Sequence, residues 1–590
     1  MRERFGLDLP FGANLQPDGT ARFSVWAPAA ARIDLELRGA EAVAMERAAD
    51  GWHRARLACR AGQEYRLRID SKLAVPDPAS RAQADDVHGF SILVDPMQYE
   101  WVHPEWQGRP WREIAIYELH VGCFGGSFAA VRSRLGQLAD LGITAIELMP
   151  LAHFAGARNW GYDGVLPFAP DASYGTPQDL KELIDAAHGL GLCVYLDVVY
   201  NHFGPEGNYL HLYAPGFFDA QRPSPWGSSI DFRVAPVRDF FFSNALYWLL
   251  EYRFDGLRLD AVHAIGDASF LDELAQRVRA ACEPGRHVHL MLENEANDAR
   301  RLVRGYDAQW NDDGHNVLHR LLTGETQSYY ANFRDEPAAK LARCLAEGFA
   351  YQGEPSPSHG GAARGTPSAG LPPFRFILFL QNHDQVGNRA FGERLLSLCD
   401  PAALRAAMVL VLLCPQIPLL FMGEEWGART PFLFFTDFHD ELADAVREGR
   451  RREFMAFPDF RDPQRRASIP DPNLVESFER SQVRCTQDRE AQEWRAFVGA
   501  LLHLRQQRIA PFLDDARSTG AHVLGAAAVE ASWNLGPGRL WIGVNLGRES
   551  VAVDVPKGEV LFEFDANCSA DISRGLLPGH SCCALLRAAS

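Results

Sequence analysis

Eight short apolar runs alternate with amphipathic segments between residue 111 and about residue 505, and this alternation limits the fold more than any other feature. The runs look buried on both faces, as the strands of a parallel sheet are. Eight strand–helix repeats that close on themselves form an α/β fold of the (β/α)8 TIM barrel type. The predicted strands are 114–121, 145–151, 193–201, 256–263, 289–293, 309–312, 376–384 and 419–424.

An open, doubly wound sheet is the structural alternative to the barrel. It would need a glycine-rich phosphate turn after the first strand, and GCFGGSF resembles such a turn only weakly. One connecting segment, TPQDLKELIDAAHGLG, supports the repeat because Thr176 suits an N-cap and Pro177 suits the first helical position. The residues of this segment that recur at helical spacing are Leu180, Leu183, Ile184 and Ala187.

Two further domains are predicted on either side of the barrel. Short alternating stretches from residue 21 predict an immunoglobulin-like N-terminal β-sandwich over 1–95, and the barrel then spans 96–505 with a short insertion near 203–233. RLWIGVNLG, SVAVDVP and EVLFEFD predict a C-terminal β-sandwich over 506–590. The segment 352–373 before the seventh strand looks too irregular for regular structure, so either a functional loop or disorder is expected there.

Charge and cysteine content narrow the classes of partner and compartment. The 590 residues include 59 Lys plus Arg and 76 Asp plus Glu, a net charge of -17 that would repel nucleic acid. The 11 cysteines show no metal-binding spacing, and no apolar leader opens the chain, which predicts a cytoplasmic protein. The most apolar run, 406–421, is too short for a membrane span and contains Pro415 and Pro418.

Charged and polar side chains gather at the ends of four predicted strands. Burying a carboxylate costs several kcal/mol unless a partner compensates it, so this placement demands an explanation. Structural ion pairs are one reading, with Arg258 neutralising Asp197 or Asp260. Paired carboxylates at the mouth of an aromatic-rich site are also what glycoside hydrolysis uses. The residues are Asp197, Asn201, His202, Arg258, Asp260, His263, Glu293, His383 and Asp384.

Four motifs in the right order, DVVYNH, GLRLDAVH, LMLENE and FLQNHD, resemble the signature regions of the α-amylase superfamily. Within that superfamily, NWGYDGV, AQWNDDGHNVLHRLLTGE and FMGEEW resemble the maltooligosyltrehalose trehalohydrolase family over essentially the whole chain. The resemblance implies a retaining glycosidase that cleaves the α-1,4 bond next to the terminal trehalose of maltooligosyltrehalose. It implies no cofactor and no catalytic metal, malto-oligosaccharide ligands, and maltooligosyltrehalose synthase as the pathway neighbour.

The same resemblance implies roles for individual residues. Asp260 would be the nucleophile, Glu293 the general acid and base, and Asp384 would hold hydroxyl groups of the sugar in subsite −1. Glu295 is the second candidate for the acid.

Further residues would bind substrate. Arg258 would keep the nucleophile ionised, His202 and His383 would donate to the sugar, and Tyr162 would stack on it. Three more candidates are less defined. Trp160 is either a substrate contact or a core residue, His263 either a +1 contact or a rim residue bonded to backbone, and Asp312 is a candidate for trehalose recognition.

Three other functions share these carboxylates or this fold. A glycogen branching or debranching enzyme would act on α-1,6 bonds. A sugar isomerase or synthase of the superfamily would give products of unchanged mass. An inactive carbohydrate-binding scaffold would bind glucan without turnover, although retention of all three acids argues against it.

Overall fold

The central element is a closed barrel of eight parallel strands, seen in a computed structural model that describes residues 5–224, 227–554, 556–564 and 568–588. Each strand pairs in parallel with the next, and the eighth pairs with the first. The predicted barrel is therefore confirmed, and the open sheet is excluded. In chain order the barrel strands are Ile116–Leu119, Ala145–Leu148, Cys193–Val198, Gly256–Leu259, His289–Leu292, Ala308–Trp310, Phe376–Phe379 and Ile417–Phe421.

Helices connect the strands and cover the barrel. The predicted cap is present, because the Thr176 side chain accepts from the backbone N–H of Asp179, whose carboxylate accepts in turn from the backbone of Thr176. The helices up to the sixth strand are Val121–Phe124, Phe128–Arg132, Leu135–Leu141, Pro177–Gly189, Leu210–Tyr213, Ala235–Leu246 and Ala268–Ala281. Those that follow are Asp312–Thr323, Pro337–Glu347, His383–Gly387, Pro401–Leu413, Asp440–Glu453, Pro463–Ala467, Val475–Ser481 and Arg489–Arg508.

Two antiparallel sheets precede the barrel and bury a shared apolar core that includes Phe23, Leu35 and Tyr65. This arrangement is the β-sandwich that the alternating pattern predicts. The first sheet contains Gly12–Leu15, Thr20–Trp26, Trp52–Ala58 and Glu46–Arg47. The second contains Val43–Ala44, Ile33–Leu37, Glu64–Ile69, Leu73–Val75 and Ser91–Ile92.

A five-stranded antiparallel sheet and a two-stranded sheet form the C-terminal part. Trp533 from this part lies fully buried, and its indole N–H donates to the Leu345 carbonyl of a barrel helix. The larger sheet contains Arg517–Gly525, Ala528–Leu535, Gly538–Asn545, Ser581–Ala588 and Glu559–Glu563. The smaller sheet contains Val551–Ala552 and Leu576–Leu577, and a short helix spans Cys568–Ile572.

Three hairpins lie in the loops around the barrel. Ala152–His153 pairs with Leu166–Pro170 after the second strand, and Phe218–Ser224 pairs with Gly227–Ile230 within the predicted insertion. Residues 225–226 of that insertion lie outside the described part, as do 1–4, 555, 565–567 and 589–590 of the predicted flanking domains.

The segment before the seventh strand forms the third hairpin, in which Glu354–Pro355 pairs with Ala363–Arg364. The expectation that 352–373 holds no regular structure is wrong. Arg364 explains the order of this segment, because its buried guanidinium donates to Asp313 Oδ1 at 2.7 Å.

Within the residues that the structure describes, no helix is both long and apolar enough to cross a bilayer. None of the ten cysteines with a described side chain forms a disulfide.

Candidate active site

The carboxyl ends of the third, fourth and fifth barrel strands bring the acidic side chains together. Asp197 on the third strand is the direct Cα partner of Arg258 on the fourth, so both side chains point to the barrel interior. Asp260 follows Arg258 by two residues, and Glu293 lies one residue beyond the end of the fifth strand. The barrel register therefore accounts for this convergence.

The Arg258 guanidinium is the centre of the cluster and is fully buried. Its Nη1 donates to Asp197 Oδ2 at 2.7 Å and to Asp260 Oδ1 at 2.7 Å, and its Nη2 lies 3.2 Å from Glu293 Oε2. The Trp310 ring packs against the guanidinium with its centroid 4.1 Å away. One cation thus lies beside three carboxyl groups in a buried environment.

Asp260 and Glu293 are further oriented by neighbouring donors. Asn201 Nδ2 donates to Asp260 Oδ2 at 2.8 Å, and the backbone N–H of Ala261 donates to Glu293 Oε2 at 2.6 Å. Ala261 adopts φ 41°, a left-handed conformation that costs energy for a residue with a Cβ. This strained backbone directs an amide at the acid side chain.

Burial and neighbouring charges shift the pKa values of the acids by different amounts. Burial raises the pKa of Glu293 well above its usual range, and the charges of Asp260 and Asp384 act in the same direction against Arg258. Burial also raises the pKa of Asp197 to about 6, although Arg258 opposes this shift. A raised pKa is what a proton donor needs near neutral pH.

The pKa of Asp384 is shifted in the opposite direction to that of Glu293. Burial favours its neutral form, but the charge and hydrogen bond of His383 outweigh burial and lower the pKa of Asp384 to about 2. His383 Nε2 lies 3.4 Å from Asp384 Oδ1, and Asn388 Nδ2 donates to the same oxygen at 3.1 Å. On its other side, His383 Nδ1 lies 2.5 Å from Glu118 Oε1. Asp384 is therefore a stable anion beside the raised-pKa acid.

Comparisons with known proteins show the family of the chain. The family model for the α-amylase catalytic domain matches residues 95–242, and a domain of unknown function, DUF3459, matches residues 516–583. A malto-oligosyltrehalose trehalohydrolase from Saccharolobus solfataricus is 41% identical over 461 residues, which cover 75% of this chain and 80% of that protein. One from Mycobacterium tuberculosis is 37% identical over 584 residues, covering 94% and 97%. The chain belongs to the malto-oligosyltrehalose trehalohydrolase family.

The predicted family, fold class and enzyme class are confirmed, and this trehalohydrolase-family chain is a glycosidase of the α-amylase type. The crystal structure of a candidate α-amylase from Salmonella typhimurium is 43% identical, with TM-score 0.93, and covers 98% of this chain and 100% of that one. A pullulanase from Anoxybacillus sp. LM18-11 is 18% identical with TM-score 0.71, covering 99% and 89%, and shows the fold alone. A Corynebacterium jeikeium branching enzyme is 33% identical over 42% of this chain and 38% of that enzyme.

Tyr162 and His383 lie beside the acids, and their contacts with the sugar stay predictions. The Tyr162 hydroxyl donates to Asp197 Oδ2 at 2.5 Å, and its ring stacks on His383 with centroids 5.0 Å apart. Tyr162 is half-buried.

The surroundings of Trp160 match the core alternative, and His202 lies among protein groups. The Trp160 indole is 4% exposed, stacks on Phe432 and donates to the Leu433 carbonyl, so it packs beneath the site. His202 Nε2 lies 2.9 Å from the Tyr162 carbonyl, and its Nδ1 contacts Asn201 Oδ1. Both ring nitrogens thus contact protein oxygens, which positions the Tyr162 loop, and the contact of His202 with the sugar stays a prediction.

The remaining predicted residues lie on the side of Glu293. Asp312 is half-buried at the start of its helix, where burial and the charge of Asp384 raise its pKa to about 7. His263 follows Asp260 on a short turn and has a partly exposed side chain. Glu295 is 55% exposed and lies beyond the Arg258 cluster, so the position of Glu293 favours Glu293 as the acid.

Two buried glutamates close to His383, Glu118 and Glu147, were not predicted as site residues. Glu118 contacts His383, and Glu147 is the direct Cα partner of Glu118 across the first two barrel strands. Among the described residues, no group hydrogen bonds to the Glu147 carboxyl oxygens, and burial raises its pKa well above the usual range. The signal was present in IYEL and AIEL, where one glutamate interrupts each apolar run.

No group of three or more histidine, cysteine or acidic side chains that could hold a metal ion occurs within the described ranges.

Proposed function

We propose that this trehalohydrolase-family enzyme hydrolyses the α-1,4 bond next to the terminal trehalose of maltooligosyltrehalose, releasing trehalose and a malto-oligosaccharide. The observation that carries the proposal is the shared contact of Asp260 and Glu293 with one buried guanidinium, that of Arg258. Two carboxyl groups so held can act together on one glycosidic bond, as a retaining glycosidase requires.

In the first step, a carboxylate oxygen of Asp260 attacks the anomeric carbon of the −1 glucose. The bond from that carbon to the leaving oxygen breaks, and Glu293 transfers its proton to the oxygen, so that trehalose departs as a neutral molecule. Arg258 and Asn201 hold Asp260 in place by hydrogen bonds to its two oxygens. The raised pKa of Glu293 keeps the proton available for this step.

In the second step, the ionised Glu293 takes a proton from water while the water oxygen attacks the same carbon. The bond to Asp260 then breaks, which restores the carboxylate and releases the glucan with retained configuration. For this chemistry we expect the two carboxyl groups to stand about 5 to 5.5 Å apart around the bound sugar.

Asp384 binds hydroxyl groups of the −1 sugar and stabilises positive charge as the transition state develops. Its lowered pKa, about 2, supports this role because the group stays ionised at working pH. Tyr162 stacks on the same ring, and His383 orients Asp384. His263 and Asp312 lie toward the leaving group and contact the trehalose unit.

The wider assignments follow from the same reasoning. We place the first domain boundary at 95/96, supported by the start of the α-amylase match at residue 95. The expected boundary at 505/506 falls inside the helix Arg489–Arg508, so we place the second boundary after that helix and before the DUF3459 match, which begins at residue 516. A cytoplasmic enzyme fed by maltooligosyltrehalose synthase accords with ten described cysteines that form no disulfide.

Product analysis with maltopentaose and its trehalose-terminated analogue side by side tests the reaction. Release of trehalose from the analogue, much faster than hydrolysis of maltopentaose, is the expected result. Formation or cleavage of α-1,6 bonds on glycogen would instead identify a branching or debranching enzyme. Glucan binding with no turnover would identify an inactive scaffold, and products of unchanged mass would identify an isomerase or synthase.

A further inference from the structure

Three polar side chains form a rim on the side of the site where Glu293 lies. His263 follows the nucleophile strand, Glu295 lies two residues after the acid, and His359 comes from the hairpin before the seventh strand. Glu295 Oε2 lies 3.9 Å from His263 Nε2, and Glu295 Oε1 lies 3.7 Å from His359 Nε2. We name His263, Glu295 and His359 the rim trio.

The hydrogen bonds of His263 define what it offers to a ligand. The backbone N–H of Glu295 donates to His263 Nδ1 at 3.3 Å, so in the neutral ring the proton resides on Nε2. Burial lowers the pKa of His263, although Glu295 and Asp260 oppose the shift, and the ring is therefore neutral at pH 7. His263 thus presents an N–H donor beside the Glu295 carboxylate, which is an acceptor.

The hairpin that carries His359 is fixed to the loop of the acid. Arg364 Nη1 donates to Asp313 Oδ1 at 2.7 Å, and its Nε donates to the backbone carbonyl of Glu295 at 2.8 Å. Both Arg364 and Asp313 are buried, and such a charge-assisted contact is rigid. His359 is held in turn through Nδ1, 3.0 Å from Ser358 Oγ. The loop that carries Glu295 and the hairpin that carries His359 are therefore held together.

The polar atoms of the rim trio do not hydrogen bond directly to one another, because their gaps of 3.7 and 3.9 Å are too long. A water or a ligand hydroxyl that approaches from the solvent side can bond to both partners of a pair. The side chains are partly exposed, at 30% for His263, 55% for Glu295 and 34% for His359. One anionic acceptor between two ring nitrogens suits a neutral polyhydroxyl ligand.

We propose that the rim trio binds the distal glucose of the trehalose leaving group and thereby selects a trehalose end over a reducing maltose end. This inference rests on the proposed function, in which Glu293 protonates the leaving oxygen. In the proposed reaction the leaving group departs on the side of the acid, and the rim trio lies on that side because Glu295 follows Glu293 by two residues and its backbone N–H donates to His263. A rigid site that hydrogen bonds specific hydroxyls rejects a disaccharide that presents them elsewhere.

The test compares kcat/KM for trehalose release from maltotriosyltrehalose with kcat/KM for hydrolysis of maltopentaose, in full-length wild type and the variants E295Q and H359A. Loss of a hydrogen bond to a charged group corresponds to about a tenfold or larger fall on the trehalose-ended substrate, with a smaller fall on maltopentaose. E295Q is also expected to raise the inhibition constant for the product trehalose about tenfold. E354Q is the matched control, because Glu354 lies on the same hairpin but pairs with Arg343.

The outcomes separate the two proposals. If wild type releases no trehalose, the proposed function fails. If wild type releases trehalose but E295Q and H359A keep its ratio of kcat/KM values and its trehalose inhibition, the inference fails while the function stands. Melting temperatures of the variants identify any loss of fold, and H359A, which changes a partly exposed side chain, provides a second readout if E295Q is unstable.

Discussion

Arg258 and Asp260 lie two residues apart in the chain and face the same way, so that Nη1 of Arg258 donates to Oδ1 of Asp260 at 2.7 Å. The same nitrogen contacts Asp197, and the other terminal nitrogen lies 3.2 Å from Glu293. The acids assigned to attack and to proton transfer therefore share one rigid cation. The fixed geometry of a guanidinium suits this function better than an ammonium group would.

The first prediction concerns these two acids. D260N removes the nucleophile and E293Q removes the transferable proton, so each should lower kcat by about 10³-fold or more while the fold is kept. Steady-state kinetics on maltotriosyltrehalose measure the loss, and circular dichroism checks the fold.

D298N is the matched control for these acids, because Asp298 lies on the loop of Glu293 but pairs with Arg300. It should retain most of the activity. Near-normal activity of D260N or E293Q would remove the role assigned to that residue.

The second prediction concerns Arg258 and stability. Replacing Arg258 by Met leaves Asp197, Asp260 and Glu293 buried without their cation, which should lower the free energy of unfolding by about 3–5 kcal/mol. R258K keeps the positive charge but not the two terminal nitrogens, so its loss of unfolding free energy should be smaller than that of R258M. Denaturant unfolding of both variants measures the difference, and an R258M protein as stable as wild type would contradict the compensating role.

The sequence predicts site residues at the ends of strands, but it does not predict contacts between residues far apart in the chain. Strand ends could be located because buried apolar runs exclude charge, so Asp260, Glu293 and Asp384 stood out, and the family motifs ordered their roles. Glu118 was missed because its partner His383 lies 265 residues away, and only closure of the barrel brings them together.

The hairpin at 352–373 was misjudged for a related reason. Its composition, rich in Gly, Pro and Ser, indicates no local preference for a strand or helix. The segment is ordered by Arg364, whose partner Asp313 belongs to a different part of the chain. Trp160 and Tyr162 also show what a motif alone cannot distinguish. The two residues belong to one motif, but Trp160 packs in the core and Tyr162 lies at the site.

The third prediction concerns the pair of Glu118 and His383. Burial lowers the pKa of His383, but the charges of Asp384 and Glu118 outweigh burial and raise it well above 6.5. E118Q should therefore lower the pKa of His383, which NMR titration of the imidazole measures. The pair stabilises the fold fully below about pH 6.5, the unfolded value, and this stability is lost as pH rises through the raised native pKa.

E118Q should consequently lose more stability at pH 6 than at high pH, and unfolding measured at several pH values checks this. H103Q is the control, because His103 pairs with Asp185 on the outside of the barrel, 44% exposed. An unchanged pKa of His383 in E118Q would contradict the assigned contact.

The fourth prediction concerns Asp312 and the pH dependence of activity. The negative charge of Asp312 contributes to the raised pKa of Glu293, after burial and the charges of Asp260 and Asp384. D312N removes that charge, so the pKa of Glu293 should fall and the proton should be lost at lower pH. The alkaline limb of kcat/KM should therefore move to lower pH, which a pH–rate profile on maltotriosyltrehalose measures.

Asp312 itself has a raised pKa of about 7, so its charge is present mainly above that pH, where the difference between D312N and wild type should be largest. D298N serves again as the control, since Asp298 is not among the charges that shift Glu293 most strongly. A D312N profile that matches wild type on its alkaline limb would mean that Asp312 does not influence the proton of Glu293. A uniform fall in kcat/KM at every pH would place Asp312 in substrate binding alone.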